Sequence, residues 1–127
     1  MIGIFVNSKD IPFAKAIVYK MKPIETRNKN MLAACVGRRV QIIETGKGQP
    51  MVVGSATITH ATYESAAWLA EHRDLTWITA GSKYDTTGPG KWCYHLSNQK
   101  PCKPYALPAY AIRHGMSWAE WTHTGKE

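Results

Sequence analysis

Lys20-Met21-Lys22-Pro23-Ile24-Glu25-Thr26-Arg27 is the stretch on which the reading of this chain turns. A proline has no N–H for a helix and its ring clashes with the preceding turn, so Pro23 ends whatever helix comes before it and sends the chain on extended. In an extended segment side chains alternate, which directs Ile24 to one side and Glu25 and Arg27 to the other. Their Cα atoms then stand about 7 Å apart, close enough for a hydrogen-bonded ion pair. Lys22 lies just upstream, at the helix end, where its ammonium can join the two.

Working outward toward the N-terminus, Met1 to Val6 sets Ile2, Ile4 and Val6 in alternation and reads as a buried strand. A helix over Ile11 to Met21 follows, capped by Asp10, with Pro12 in its first turn and Ala14, Ile17, Val18 and Met21 along one face. Toward the C-terminus, Asn28 to Gly37 is loop-like around the apolar patch Met31 to Val36, and no periodicity assigns it. Arg38 to Glu44 and Met51 to His60 are predicted to pair as a hairpin across the turn at Gly46, Lys47, Gly48 and Pro50.

A second helix is expected over Glu64 to Arg73. Gly81 to Gly90 is a polar loop whose length points to a functional or mobile connection. Lys91 to Ser97 reads as a strand with Trp92, Tyr94 and Leu96 on one face and Cys93, His95 and Ser97 on the other. Lys100 to Pro108 carries three prolines and is expected as an extended edge, before a last strand near Ala109 to Arg113. Ser117 and Glu120 form a capping-box pattern that predicts a tail helix bearing Trp118 and Trp121. This order is α+β, compatible with a mixed β-barrel carrying helices in its connections, and 127 residues suit one domain over 1–127.

Lysine and arginine number 16 against 9 acidic residues, a formal charge of +7, and the excess is uneven. Residues 1–47 carry 9 basic and 3 acidic side chains, residues 48–82 carry 1 and 3, and residues 83–113 carry 5 and 1. Two basic segments flank an acidic one, and if they meet they form a positive surface suited to phosphates. The apolar run at Met1 to Val6 is too short for a signal-peptide core or a membrane span, so no membrane partner is expected. Cys35, Cys93 and Cys102 are odd in number, which favours reduced thiols and a cytoplasmic location. No Cys or His pair has metal-ligand spacing, so no metal is expected, and no cofactor motif stands out. Gly90-Lys91 lacks the glycine and hydroxyl residue of a phosphate loop, which argues against nucleotide triphosphate hydrolysis.

The motif Lys22-x-x-Glu25-x-Arg27 resembles the signature of the ASCH family, G-x-K-x-x-E-x-R, with Lys20 in place of the glycine. The order of elements over roughly residues 1–112 agrees with that family: an apolar strand and a proline-started helix before the motif, a strand at Gly37 to Ile43 after it, and a late aromatic strand from Gly90-Lys91-Trp92. The resemblance implies a PUA-like barrel. It also implies an RNA-binding or modified-base-reading module. One branch of the family is a small amidohydrolase that removes the acetyl group from N4-acetylcytidine, and another is associated with ribonuclease activity. In the amidohydrolase branch a threonine stands three residues after the motif lysine; here that position is Glu25, with Thr26 next to it.

Taken together, these features predict a domain binding RNA or a modified nucleoside in a basic cleft around Lys22, Glu25 and Arg27. A glutamate accepts from an exocyclic amine while lysine and arginine hold phosphate or carbonyl oxygens. Trp92 and Tyr94, with Lys83, Tyr84 and Lys91 near them, offer a stacking surface beside cations, and His95 can titrate near neutral pH. The enzymatic alternative takes Lys22 as a base beside Glu25, with Glu71 as the second acid and Glu64 and Asp74 as other candidates. A third class is a protein-interaction module docking through Trp118 and Trp121.

Overall fold

The computed structural model describes residues 1–122; the last five residues of the expected 1–127 domain lie outside the described ones. The elements are β1 (Ile2–Asn7), α1 (Phe13–Val18), β2 (Ile24–Arg27), a 3-10 turn (Ala33–Cys35), β3 (Arg39–Thr45), β4 (Met51–Ser65), α2 (Ala66–Glu71), α3 (Arg73–Thr76), β5 (Gly90–Ala106), β6 (Ile112–His114) and β7 (Trp118–Glu120). All seven strands form one sheet in the order β2-β5-β4-β3-β1-β7-β6. β1 and β3 are parallel, and the other pairs are antiparallel. The α+β class and the mixed sheet are therefore as expected. The ladder runs from β2 to β6 without closing, so the backbone does not complete the expected barrel.

The core is built from the alternating faces of the strands and the buried side of α1. Ile4, Val6, Ile17, Val40, Ile42, Ala56, Ile58 and Tyr94 meet in one cluster. α1 can press against β4 because Gly54 has no side chain: a Cβ there would lie 2.5 Å from Val18 Cγ1 and 2.3 Å from the Lys100 carbonyl oxygen. Tyr94 also anchors the unassigned segment after β2, since its hydroxyl donates to Asn30 Oδ1 at 2.7 Å and accepts from the Leu32 N–H at 3.2 Å. Leu32 and Cys35 thereby enter the core.

α1 is shorter than the predicted Ile11 to Met21. Its start is served by Ser8, whose Oγ accepts from the Ala14 N–H at 3.0 Å, and not by Asp10, which points elsewhere. Its end is a Schellman motif: the Met21 N–H donates to Ala16 and the Lys20 N–H to Ile17, with Lys20 left-handed at φ 67°. This is the position where the resembling motif carries glycine. The lysine leaves the turn in place at the cost of an unfavourable backbone conformation. Met21, expected on the apolar face, lies beyond the helix and is exposed.

β4 extends past His60 to Ser65, whose Oγ then caps α2 by accepting from the Trp68 N–H at 3.1 Å. The predicted second helix is divided into α2 and α3 at His72. β5 joins the expected aromatic strand and proline-containing edge into one strand that pairs with β4, with register shifts between Val52 and Gly54, Ser55 and Thr57, and Ile58 and His60. β2 covers β5 only at residues 92–95, so Pro101 and Pro104 occupy a half with no β2 neighbour, where a missing N–H costs little.

The expected tail helix is a strand. β7 fills the edge of β1 and pairs with β6, and the Ser117 carbonyl accepts from the Phe5 N–H at 3.0 Å. Sheet pairing supplies more hydrogen bonds here than a short terminal helix. Trp121 is 5% exposed and packs over Gly3, while Trp118 stacks on His114 with ring centroids 3.8 Å apart. These tryptophans are taken up in packing.

Candidate functional site

α1 and β2 meet at Pro23, and the three charged residues around it converge on one point. Glu25 lies between two cations: its Oε1 is 3.3 Å from Lys22 Nζ, and its Oε2 accepts from Arg27 Nη2 at 2.9 Å and Nε at 3.1 Å. Lys22 is 1% exposed and Glu25 7%. Such burial is tolerable only because each charge is paired and hydrogen-bonded.

The Lys22 ammonium has all three donors engaged. Besides Glu25 it donates to the Ile24 carbonyl at 2.5 Å and to the Thr76 carbonyl at 2.7 Å, and it stands over the Phe13 ring. Trp77, left-handed at φ 63° where it ends α3, sits just after the Thr76 carbonyl that reaches the lysine. Burial lowers the pKa of Lys22, with Glu25 working against that shift. A neutral amine has only two N–H groups for three acceptors, so the geometry suits the ammonium. For Glu25, burial raises the pKa, but Lys22 and Arg27 outweigh it and hold the carboxyl below its ordinary range.

The trio forms part of the wall of a cleft of about 320 Å³. Phe5, Phe13, Met31 and Tyr84 give it apolar walls, and Lys83 and Lys91 bring further positive charge. The predicted loop closes one side: Lys83 pairs with Asp10, the Tyr84 hydroxyl donates to Asp10 Oδ2 at 3.1 Å, and the Tyr84 ring meets Phe13 edge-on at 5.2 Å. Asp85 organises the loop from within, accepting from the Gly81 and Thr86 N–H groups and from Arg73. These interactions, with the Gly81 backbone bond the largest, keep its carboxyl below the ordinary range.

Of the residues singled out from sequence, Lys22, Glu25, Arg27, Lys83 and Tyr84 line this cleft. The other three sit elsewhere. Trp92 packs beside the core and meets Tyr63 edge-on at 5.6 Å. His95 stacks on His60 with centroids 4.2 Å apart, and its Nε2 lies 2.8 Å from Thr62 Oγ1; burial, then His60, lowers its pKa. Glu71 ends α2, and neither it nor Glu64 nor Asp74 is among the cleft residues; Glu25 is the only carboxylate among the described ones that is. Cys93, packed with Ile24 and Leu69, has its thiol pushed up by burial to about 11, which favours the protonated form at neutral pH.

Phe13 and Asp10 carry no sequence signal as site residues. Lys91 figures in the sequence only as a cation beside the stacking face of Trp92 and Tyr94, whereas the structure sets it in the cleft wall and both aromatic side chains elsewhere. Asp10 reads locally as a helix cap, and its pairing with residues more than seventy positions away has no local signal. Among the described residues there is no group of three His, Cys, Asp or Glu side chains that could hold a metal, and no helix is long and apolar enough to cross a membrane.

A seven-stranded mixed sheet with a K-x-x-E-x-R trio at the first helix–strand junction places the chain among proteins with the ASCH-type fold. The solved structures bear this out. The chain is similar to the ASCH protein of Zymomonas mobilis, with 21% identity and a TM-score of 0.68 over 83% of this chain and 73% of that one. It is also similar to that protein's serine-to-alanine mutant, with 19% identity and a TM-score of 0.73 over 95% of this chain and 88% of that one. Its tyrosine-to-phenylalanine mutant gives 21% identity and a TM-score of 0.67 over 83% and 76%. No protein-family model matches the chain, and no curated protein does.

Proposed function

We propose that this is an RNA- or modified-nucleoside-binding domain acting in the cytoplasm, with the cleft beside Lys22, Glu25 and Arg27 as its ligand site. The observation that carries this reading is the cleft's charge: Lys22, Arg27, Lys83 and Lys91 reach it against one lining carboxylate, Glu25. A positive, partly apolar concavity of this size suits a base with phosphate beside it. The ASCH-type fold supports the reading by analogy alone.

Fluorescence anisotropy with single-stranded RNA at rising salt tests it. Affinity is expected to fall with a log–log slope of about −0.7 per phosphate contacted. Lys83→Ala, at an exposed cleft position, is expected to weaken binding while leaving the melting temperature unchanged. Salt-independent or absent binding to RNA and to nucleosides alike would reject the reading.

The amidohydrolase alternative draws on one observation, the buried Lys22 with its lowered pKa. Against it, the three acceptors around the ammonium favour its charged form, and no second acid lines the cleft among the described residues. Release of acetate from N4-acetylcytidine, lost in Lys22→Met, would reverse that preference.

A further inference from the structure

The four cations of the cleft are unequally partnered. Lys22 has three acceptors, Arg27 holds Glu25 and the Phe5 carbonyl, and Lys83 is paired with Asp10. Lys91 is 6% exposed, yet its ammonium donates only to the Tyr84 carbonyl. It takes part in no ion pair among the described residues. Glu64 stands opposite it in the β4–β5 ladder, but Lys91 lines the cleft instead of joining that carboxylate. An ammonium offers three donors, so two of its donors are left to the cleft.

Arg27 supplies the second half. Its Nη1 has only the Met31 sulfur as partner, at 3.7 Å, a weak acceptor that leaves donor capacity free. Burial lowers the pKa of Lys91, with Glu25 and Asp85 working against that shift and Arg27 adding a smaller push in the same direction as burial. Lys91 and Arg27 both line the cleft; an anion there fills both sets of donors, and a guanidinium with an ammonium is a pair suited to phosphate oxygens.

We propose that Lys91 and Arg27 Nη1 form a phosphate subsite, so that the ligand is a nucleotide or an RNA backbone phosphate and not an uncharged nucleoside. This rests on the cleft being the ligand site, as proposed above. Phe5, Phe13, Met31 and Tyr84 then border the base or sugar.

Isothermal titration with the four ribonucleosides, their 5′-monophosphates and dinucleoside monophosphates tests the subsite. The phosphorylated forms are expected to bind about tenfold more tightly than the nucleosides, with inorganic phosphate competing. Preference for the 5′-monophosphates assigns the subsite to a terminal phosphate, and preference for the dinucleoside monophosphates assigns it to the RNA backbone. Lys91→Met is expected to abolish the advantage and Lys91→Arg to keep it, with melting curves confirming both folds. Equal binding of nucleosides and phosphorylated forms by the wild-type protein overturns the subsite while leaving the cleft reading intact, whether or not the variants fold. An advantage that survives in folded Lys91→Met also overturns it. Binding of none of these ligands, nor of RNA, removes the cleft reading and the subsite together.

Discussion

Arg27 Nη2 donates to the carbonyl oxygen of Phe5 at 2.5 Å, joining two strands that share no backbone ladder, since β5, β4 and β3 lie between β2 and β1 in the sheet. The same nitrogen holds Glu25, whose other oxygen faces Lys22. The motif is thus both a wall of the cleft and the side-chain link that ties the end strand to the middle of the sheet.

Removing the link is expected to cost stability as well as binding. Arg27→Met leaves Glu25 with one cation and Phe5 O without its donor, a loss of about 3 kcal/mol. Arg27→Lys retains a charge near Glu25 and is expected to lose less. Urea denaturation of the three proteins measures this, and a midpoint unchanged in Arg27→Met would show that the link carries no stability.

Lys20 offers the opposite sign. It occupies the left-handed C′ position of a Schellman motif with an exposed side chain, so Lys20→Gly relieves backbone strain without removing packing. The expected gain is about 0.5–1 kcal/mol, after the greater freedom of glycine in the unfolded chain is subtracted. Lys20→Ala has the same strain as lysine and is expected to give no such gain in thermal melts.

Glu25 sets an acid limb. Its pKa in the folded protein lies below the ordinary value of 4.5, so the unfolded state binds more protons between those two values. Its contribution is present in full above 4.5 and is lost as pH falls through the folded pKa. Asp10 and Asp85, also lowered, act in the same direction. Glu25→Gln is expected to be less stable than wild type at neutral pH, with the gap narrowing as pH falls below 4.5. Chemical denaturation across pH 3–7 reads this directly, and a gap independent of pH would contradict it.

Asp10 fastens the loop over the cleft through Lys83 and Tyr84. Because this pair is solvent-exposed, Asp10→Ala is expected to leave global stability nearly unchanged. Amide hydrogen exchange over residues 81–88 should quicken and ligand dissociation should speed up. Unaltered exchange in that loop would show that Asp10 does not hold it.

The parts legible in the sequence were those carried by local signals. Pro23 and the alternation after it marked β2, and the charge spacing in Lys22-x-x-Glu25-x-Arg27 marked the trio. Alternating apolar residues marked β1, β3 and the start of β4. The misreadings share one cause. Ser117 to Trp121 has the local pattern of a helix start, yet the open edge of β1 takes it as a strand; Lys100 to Ala106 has the composition of a wrapping edge, yet continues the β4–β5 ladder through register shifts. Both outcomes depend on a partner strand distant in the chain.

By itself the sequence determined the α+β class, the junction at Pro23 and the charges gathered around it, because backbone restriction and side-chain alternation act over a few residues. Only the tertiary structure decided that the trio is buried and internally paired, that Lys91 and Arg27 keep donors to spare, and that Asp10 serves the loop and not the helix. Each of these turns on how far a charge stands from water and from its nearest opposite charge, distances that long-range strand pairing sets and that spacing along the chain does not encode.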